Sequence, residues 1–142
     1  MAKIEANIQA HQLRFMQSWM HRDVGAIRSL AARDCMIIFG TNPPELLDRP
    51  SFVAALEKDF RCLGFRMGES FVRRYGKTAW FTAPVELELK LGAREWKGRF
   101  LTTSMWRKFT IGGWKLVESS LAPVDRDDRL ADSVRRLQMW QG

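Results

Sequence analysis

The residue types that most often carry chemistry are scarce in this 142-residue chain, which has two histidines (His11 and His21), two cysteines (Cys35 and Cys62) and one tyrosine (Tyr75). The cysteines lack the C-x-x-C spacing of a metal or redox site, and the histidines are too few and too far apart for a zinc or di-iron centre. Both cysteines lie inside apolar patterns and are expected to be buried, reduced thiols. No metal and no cofactor is expected. General acid–base chemistry needs two titratable groups converging on one cavity. Glu118 is the strongest candidate for the base, since it alternates with Trp114, Leu116 and Ser120 and is expected to share their face. On a concave face it would stand among aromatics. On an outer face it would pair with a neighbouring arginine such as Arg107. Asp34, at the start of a strand, is expected to satisfy backbone groups. His11 lies one helical turn before Phe15, where it either orients a ligand or makes a partly exposed hydrogen bond. Tyr75 is expected to be a surface phenol beside a turn.

Tryptophan is the more informative residue. Trp19, Trp80, Trp106 and Trp114 are the right type to line an apolar cavity with few polar groups, and equally the right type to fill a core or an interface. Trp96, Gly98, Phe100, Thr102, Ser104 and Trp106 alternate along one strand. That face carries more apolar bulk than a solvated sheet wants, which points to a homodimer.

The elements that must position these residues follow from periodicity. Apolar positions at Ile4, Ile8, Phe15 and Trp19 predict a helix over 4–20. Asp23 is placed to cap a second helix over 24–32, and 35–39 reads as a buried strand closed by Gly40. Pro50 suits the first turn of a third helix, whose stripe runs Phe52, Leu56, Phe60, Leu63 and stops at Gly64. Beyond residue 65 the period changes to two. Strands are expected over 65–75, 79–91, 95–110 and 114–121, separated by turns at Gly76-Lys77, Gly92 and Gly112-Gly113. A terminal helix over 127–141 carries Leu130, Val134 and Leu137 on one face and is expected to dock. Helices followed by antiparallel strands make an α+β fold, here as one domain over 1–142.

Composition removes several function classes. Lysine and arginine number 23 against 16 aspartates and glutamates, a net charge of +7. The basic residues are scattered and interleaved with acidic ones, so a nucleic-acid partner is not expected. No apolar run approaches the ~20 residues of a membrane span, and residues 1–10 lack the apolar stretch of a signal peptide. The expectation is a cytoplasmic protein.

The order of elements, with Ile38-Phe39-Gly40-Thr41-Asn42-Pro43-Pro44-Glu45 closing the first strand, resembles the nuclear transport factor 2-like superfamily. The nearest resemblance is to its SnoaL-like domains. Ala79-Trp80-Phe81, the stretch from Thr103 to Lys108 and Gly113-Trp114-Lys115-Leu116-Val117 extend the resemblance in the correct order over about residues 5–123. It implies a cone: a curved antiparallel sheet wrapped around the N-terminal helices, with a pocket at the open end and the 127–141 helix as an addition. It also implies a two-fold dimer through the outer sheet face. Asp48 stands where relatives usually have glycine, and Glu118 and Ser120 stand where many have histidine. Glu45 belongs to the shared motif and implies a hydrogen bond or ion pair at the pocket rim.

The ketosteroid isomerases of this superfamily use a tyrosine, an aspartate base and a protonated acid. The resemblance puts Phe15, Phe39 and Ser104 or Met105 at those positions, so that chemistry is absent. The implied pocket is lined by Phe15, Trp19, Phe39, Trp80, Ser104, Trp106, Trp114 and Ser120. The expected function is binding of a small apolar or weakly anionic molecule. The alternatives are an isomerase, dehydratase or hydrolase using Glu118, and a dimeric protein-interaction module.

Overall fold

A computed structural model describes residues 2–124 and 128–138. Its first element, α1 (Ala2–Met20), buries one face made of Ile8, Gln12, Phe15, Met16 and Trp19. These positions recur at three and four residues, the spacing of one helical stripe. A short α2 (Val24–Leu30) follows, capped by Asp23, whose carboxylate accepts from the Ala26 N–H at 3.0 Å. The chain then enters β1 (Ala31–Phe39) directly, four residues earlier than its apolar run suggests.

A short β2 (Glu45–Asp48) pairs with β1, and α3 (Arg49–Lys58) begins where Asp48 accepts from the Ser51 N–H at 2.9 Å. Asp48 has φ −76°, ordinary extended backbone, so this position is an N-cap and not a left-handed turn. The third helix is shorter than its stripe implies. Phe60 and Leu63 belong to β3 (Phe60–Met67), and a separate β4 (Phe71–Tyr75) follows. Phe60 is buried in either assignment, which is why spacing alone did not separate helix from strand.

The rest of the sheet is β5 (Thr78–Leu91), β6 (Arg94–Phe109) and β7 (Gly113–Pro123), joined by tight turns at positive-φ glycines 92, 112 and 113. Strand order is β2-β1-β7-β6-β5-β3, with β4 also on β5. All pairs are antiparallel except β1 with β7, which run parallel, so the sheet is mixed where an antiparallel one was expected. The curved, unclosed sheet holds α1 to α3 against its inner face. Inner side chains Ala79, Phe81, Ala83, Val85, Leu87 and Leu89 of β5 are all buried, while the intervening residues point outward.

The helix ends explain part of the positive charge. Arg49 donates to the carbonyls of Arg28 and Ala31 at 3.2 and 3.1 Å, and the Lys115 ammonium donates to that of Ser29 at 3.2 Å. All three lie at or just beyond the C-terminus of α2. Arg22 does the same for α3, donating to Leu56 and Glu57 at 2.9 and 3.1 Å. These carbonyls lack intrahelical partners, and cations suit that end of the dipole. The fourth helix, α4 (Asp128–Arg135), ends before residue 136, positions 127 and 139–141 of the expected helix lie outside the described residues, and its stripe is not docked: Leu130 and Leu137 are 72% and 77% exposed. Among the described residues no helix is long and apolar enough to cross a membrane.

Hydrogen bonds from the Ser51 side chain and backbone N–H hold the Asp48 carboxyl below the ordinary aspartate range. A depressed pKa contributes stability that is present at neutral pH and lost as pH falls through the folded value. Urea midpoints of the native protein should therefore drop in acid, and the Asp48→Asn variant, which caps without titrating, should lack that part of the drop. Cys35 and Cys62 are free and buried, and burial pushes their thiols up to about 12 and about 11. Neither should react with an aromatic disulfide reagent at mildly alkaline pH in the folded protein, and both should react in urea.

Candidate functional site

The inner face of the cone collects six of the nine residues singled out in the sequence. Phe15, Trp19, Trp106 and Trp114 belong to one contiguous buried cluster, and Phe39 packs against it from β1. Ser104 is buried there too and shares a hydrogen bond of 3.0 Å with Ser119. Ring contacts tie the cluster together: Trp19 meets Phe52 and Phe60 edge-on at 5.2 Å, and Phe39 approaches Phe60 at 5.9 Å. These four buried aromatics are thus core: Phe15, Trp19 and Trp106 have their rings against other rings, and Trp114 lies under the Arg74 guanidinium at 5.7 Å.

Trp80, Glu118 and Ser120 lie on the other side of the sheet. Trp80 pairs with Met105 and Arg73, whose side chains point outward. Glu118 does not share the face of Trp114 and Leu116, because β7 carries a bulge. Trp106 pairs with Leu116 but the next residue, Met105, pairs with Glu118, leaving Val117 extra. The extra residue exchanges the faces. Trp114 and Leu116 point inward, then Ser119 and Leu121 do, while Glu118 is exposed and Ser120 faces outward. The placement that made Glu118 a general base inside the cone is therefore corrected.

The alternating face of β6 is also reassigned. Thr102, Ser104 and Trp106 face the core, and the outward side chains are Leu101, Thr103 and Met105. His11 sits with its ring Nδ1 2.8 Å from the Asn7 carbonyl and its edge against Trp106 at 5.5 Å, a structural setting. Tyr75, Asp34 and Glu45 are exposed. Among the described residues no group of three His, Cys, Asp or Glu side chains is placed to hold a metal ion.

The polar groups that the sequence reading passed over are Gln12 and Thr102. Gln12 interrupts the apolar stripe of α1 between Ile8 and Phe15, which was the available signal. Its side-chain carbonyl accepts from the Trp106 indole N–H at 3.1 Å. The indole can only donate, so the amide's NH₂ must point elsewhere, and it finds no partner among the described residues. The Trp19 indole N–H and the Thr102 hydroxyl are likewise buried without a partner there. Phe39, Phe65, Met67 and Phe100 are only half-buried where they pack against the core. Leu121 pairs with both Phe39 and Thr102, which puts the Thr102 side chain at the level of Phe39 on the inner face.

The outer face is built differently. One row across six strands reads Leu46, Ile38, Ser120, Thr103, Thr82 and Phe71, with no charge in it. A groove of about 660 Å³ lies on its β4–β5–β6 half, lined by Phe71, Tyr75, Trp80, Leu101 and Met105 among others. A second concavity of about 1030 Å³, lined by Arg66, Lys97, Arg99, Glu86 and Glu88, is charged.

The fold matches solved structures over most of the chain. A nuclear transport factor 2-like protein from Cytophaga hutchinsonii aligns with a TM-score of 0.77 at 16% identity, covering 84% of this chain and 98% of that one. A nuclear transport factor 2-like protein of unknown function in nutrient uptake from Rhodospirillum rubrum gives 0.75 at 15% identity, covering 83% and 98%. The S. rosetta CaMKII hub gives 0.68 at 16% identity, covering 82% and 94%. At such identities these likenesses speak for the fold alone, and no curated protein matches. The sequence pattern of the SnoaL-like domain matches residues 8–125, from within α1 to the end of the sheet and short of α4, and the chain belongs to that family.

Proposed function

We propose that this chain is a cytoplasmic, non-catalytic domain that binds a small, largely apolar or weakly anionic molecule at the open end of its cone. The observation that carries this reading is the Thr102 hydroxyl, buried without a partner among the described residues on the same face as the half-buried Phe39 and Phe100. An unpaired buried polar group costs about 1–3 kcal/mol, and a ligand oxygen held there would recover it. The Trp19 indole N–H, likewise without a partner among the described residues and packed against Phe60, which meets Phe39, offers a second donor. Ketosteroid isomerase chemistry is not part of the proposal: Phe15 and Phe39 have no proton to give or take, and Ser104 is engaged with Ser119. The two free thiols suit a reducing compartment.

A native mass spectrum of gently purified protein, compared with a denatured extract, should show one small molecule per chain. Thr102→Val keeps the shape and removes the hydroxyl, so it should weaken retention of that molecule about fivefold or more while leaving the ligand-free protein at least as stable. Bare protein, together with no binding of anilinonaphthalene sulfonate, would overturn the reading.

A second reading, a dimeric interaction module, is favoured by the outer face. Its uncharged row is about 24 Å wide at the usual strand spacing, on a chain that is otherwise 27% charged. Light scattering at micromolar concentration should give a homodimer, and Trp80→Asp should shift it toward monomer. A monomer under those conditions would remove this reading.

A further inference from the structure

β6 outruns one of its neighbours. β7 ends at Pro123, opposite Phe100, and the Val124 N–H then bonds the Arg99 carbonyl at 3.0 Å. Residues 94–98 continue along β5, and among the described residues no strand pairs with their other side. All of 94–99 are exposed, Trp96 included at 43%. Arg99 turns its backbone polar groups toward β7. By alternation Lys97 and Glu95 turn theirs to the open edge, while Trp96 and Gly98 turn theirs to β5. Such an edge is a template for another strand unless its charges forbid every register.

We propose that this edge pairs with the same edge of a second copy, antiparallel about a two-fold axis at Trp96. Charge selects both the occupant and the register. With Trp96 opposite Trp96, Glu95 of each copy meets Lys97 of the other. Those are the residues whose N–H and C=O groups face outward, so the two pairs exchange four backbone hydrogen bonds. Moving the axis to residue 95 or 97 sets like charges directly opposite. The match continues into each sheet. Within β5–β6, Lys90 stands opposite Glu95 and Glu88 opposite Lys97. The row across the joined sheets therefore reads Lys90, Glu95, Lys97, Glu88, with the sign alternating at every step.

Gly98 supplies the room. It has no positive φ, sits in unbroken register with β5, and a Cβ built on it would meet nothing within 4 Å. Neither conformation nor close packing within the chain calls for glycine there, which leaves the approach of something outside it. Gly98 shares the face of Trp96 and Phe100. In the proposed register the second copy's indole lies diagonal to it, where a side chain would crowd the pair. Opposite residues of this non-hydrogen-bonded kind stand about 4.5 Å apart at Cα, which brings the two indoles into contact. The contact uses none of the residues that line the outer-face groove.

Two measurements on the full chain test this. The first is sedimentation at rising concentration of the native protein, of Glu95→Lys, of Lys97→Glu and of the double reversal. Each single reversal should weaken dimerisation at least about fivefold, and the double reversal should restore it. The second is mild oxidation of Trp96→Cys, whose Cα separation across the axis suits a disulfide and should give a linked dimer. Gly98→Cys, which faces Arg94 in this register, should not. Single reversals without effect, together with no Trp96→Cys cross-link, would overturn edge pairing. A cross-link through Gly98→Cys alone would overturn it too. So would association that vanishes in Trp80→Asp, which would assign the dimer to the outer face instead. A monomer at all concentrations would overturn this pairing and the outer-face dimer together.

Discussion

The hydrogen bond from the Trp106 indole to the Gln12 carbonyl joins residues 94 apart in the chain and fixes how α1 lies on the sheet. A curved sheet with a uniformly apolar inner face offers a helix many nearly equivalent seats, because dispersion contacts are not directional. A buried donor that can meet only one acceptor removes that degeneracy: sliding α1 by a turn would strand both partners at a cost that apolar contact cannot return. Phe15 and Trp19 then meet Phe52, and Trp19 also Phe60, as a consequence of that seat. Gln9 reaching Ser70 at 2.6 Å pins the outer end of the helix to the β3–β4 turn in the same register.

The positive charge has a comparably local use. Arg22, Arg49 and Lys115 are spent on carbonyls at or near the ends of α2 and α3, where short helices have no length to spread their end effects. Much of what composition reports as an electrostatic character is thus helix termination distributed along the chain. The exposed pair Arg66–Glu86 at 3.0 Å, by contrast, contributes little to stability.

The sequence was most legible where one physical signal acted alone. The alternation of β5, the glycine turns and the apolar stripe of α1 each have a single cause, and each element was found to within a few residues. Legibility failed where two signals overlapped. Phe60 and Leu63 continue the spacing of α3 although the chain has already turned into β3, because an apolar residue every three or four positions is compatible with both states over so short a run. The candidate site was partly legible: the aromatics inside the cone were recognised by type, but their depth was not, since burial depends on partners across the sheet. Thr102 was missed because nothing in its neighbours marks its hydroxyl as unpartnered. Trp80 and Trp106 look alike in composition and lie on opposite faces, a difference set by strand pairing.

The extra residue at Val117 has a further consequence for how β7 can vary. Ahead of it the even-numbered positions 114 and 116 face the core, while beyond it the odd-numbered positions 119 and 121 do. A single strand therefore obeys two opposite parity rules, and the residue where they meet is under constraint for its count and not for its chemistry. Tolerance to substitution along β7 should change phase in mid-strand. Lengthening or shortening the strand by one residue would interchange the chemical character of the cone's interior and its exterior in one step, a larger change than any substitution in it.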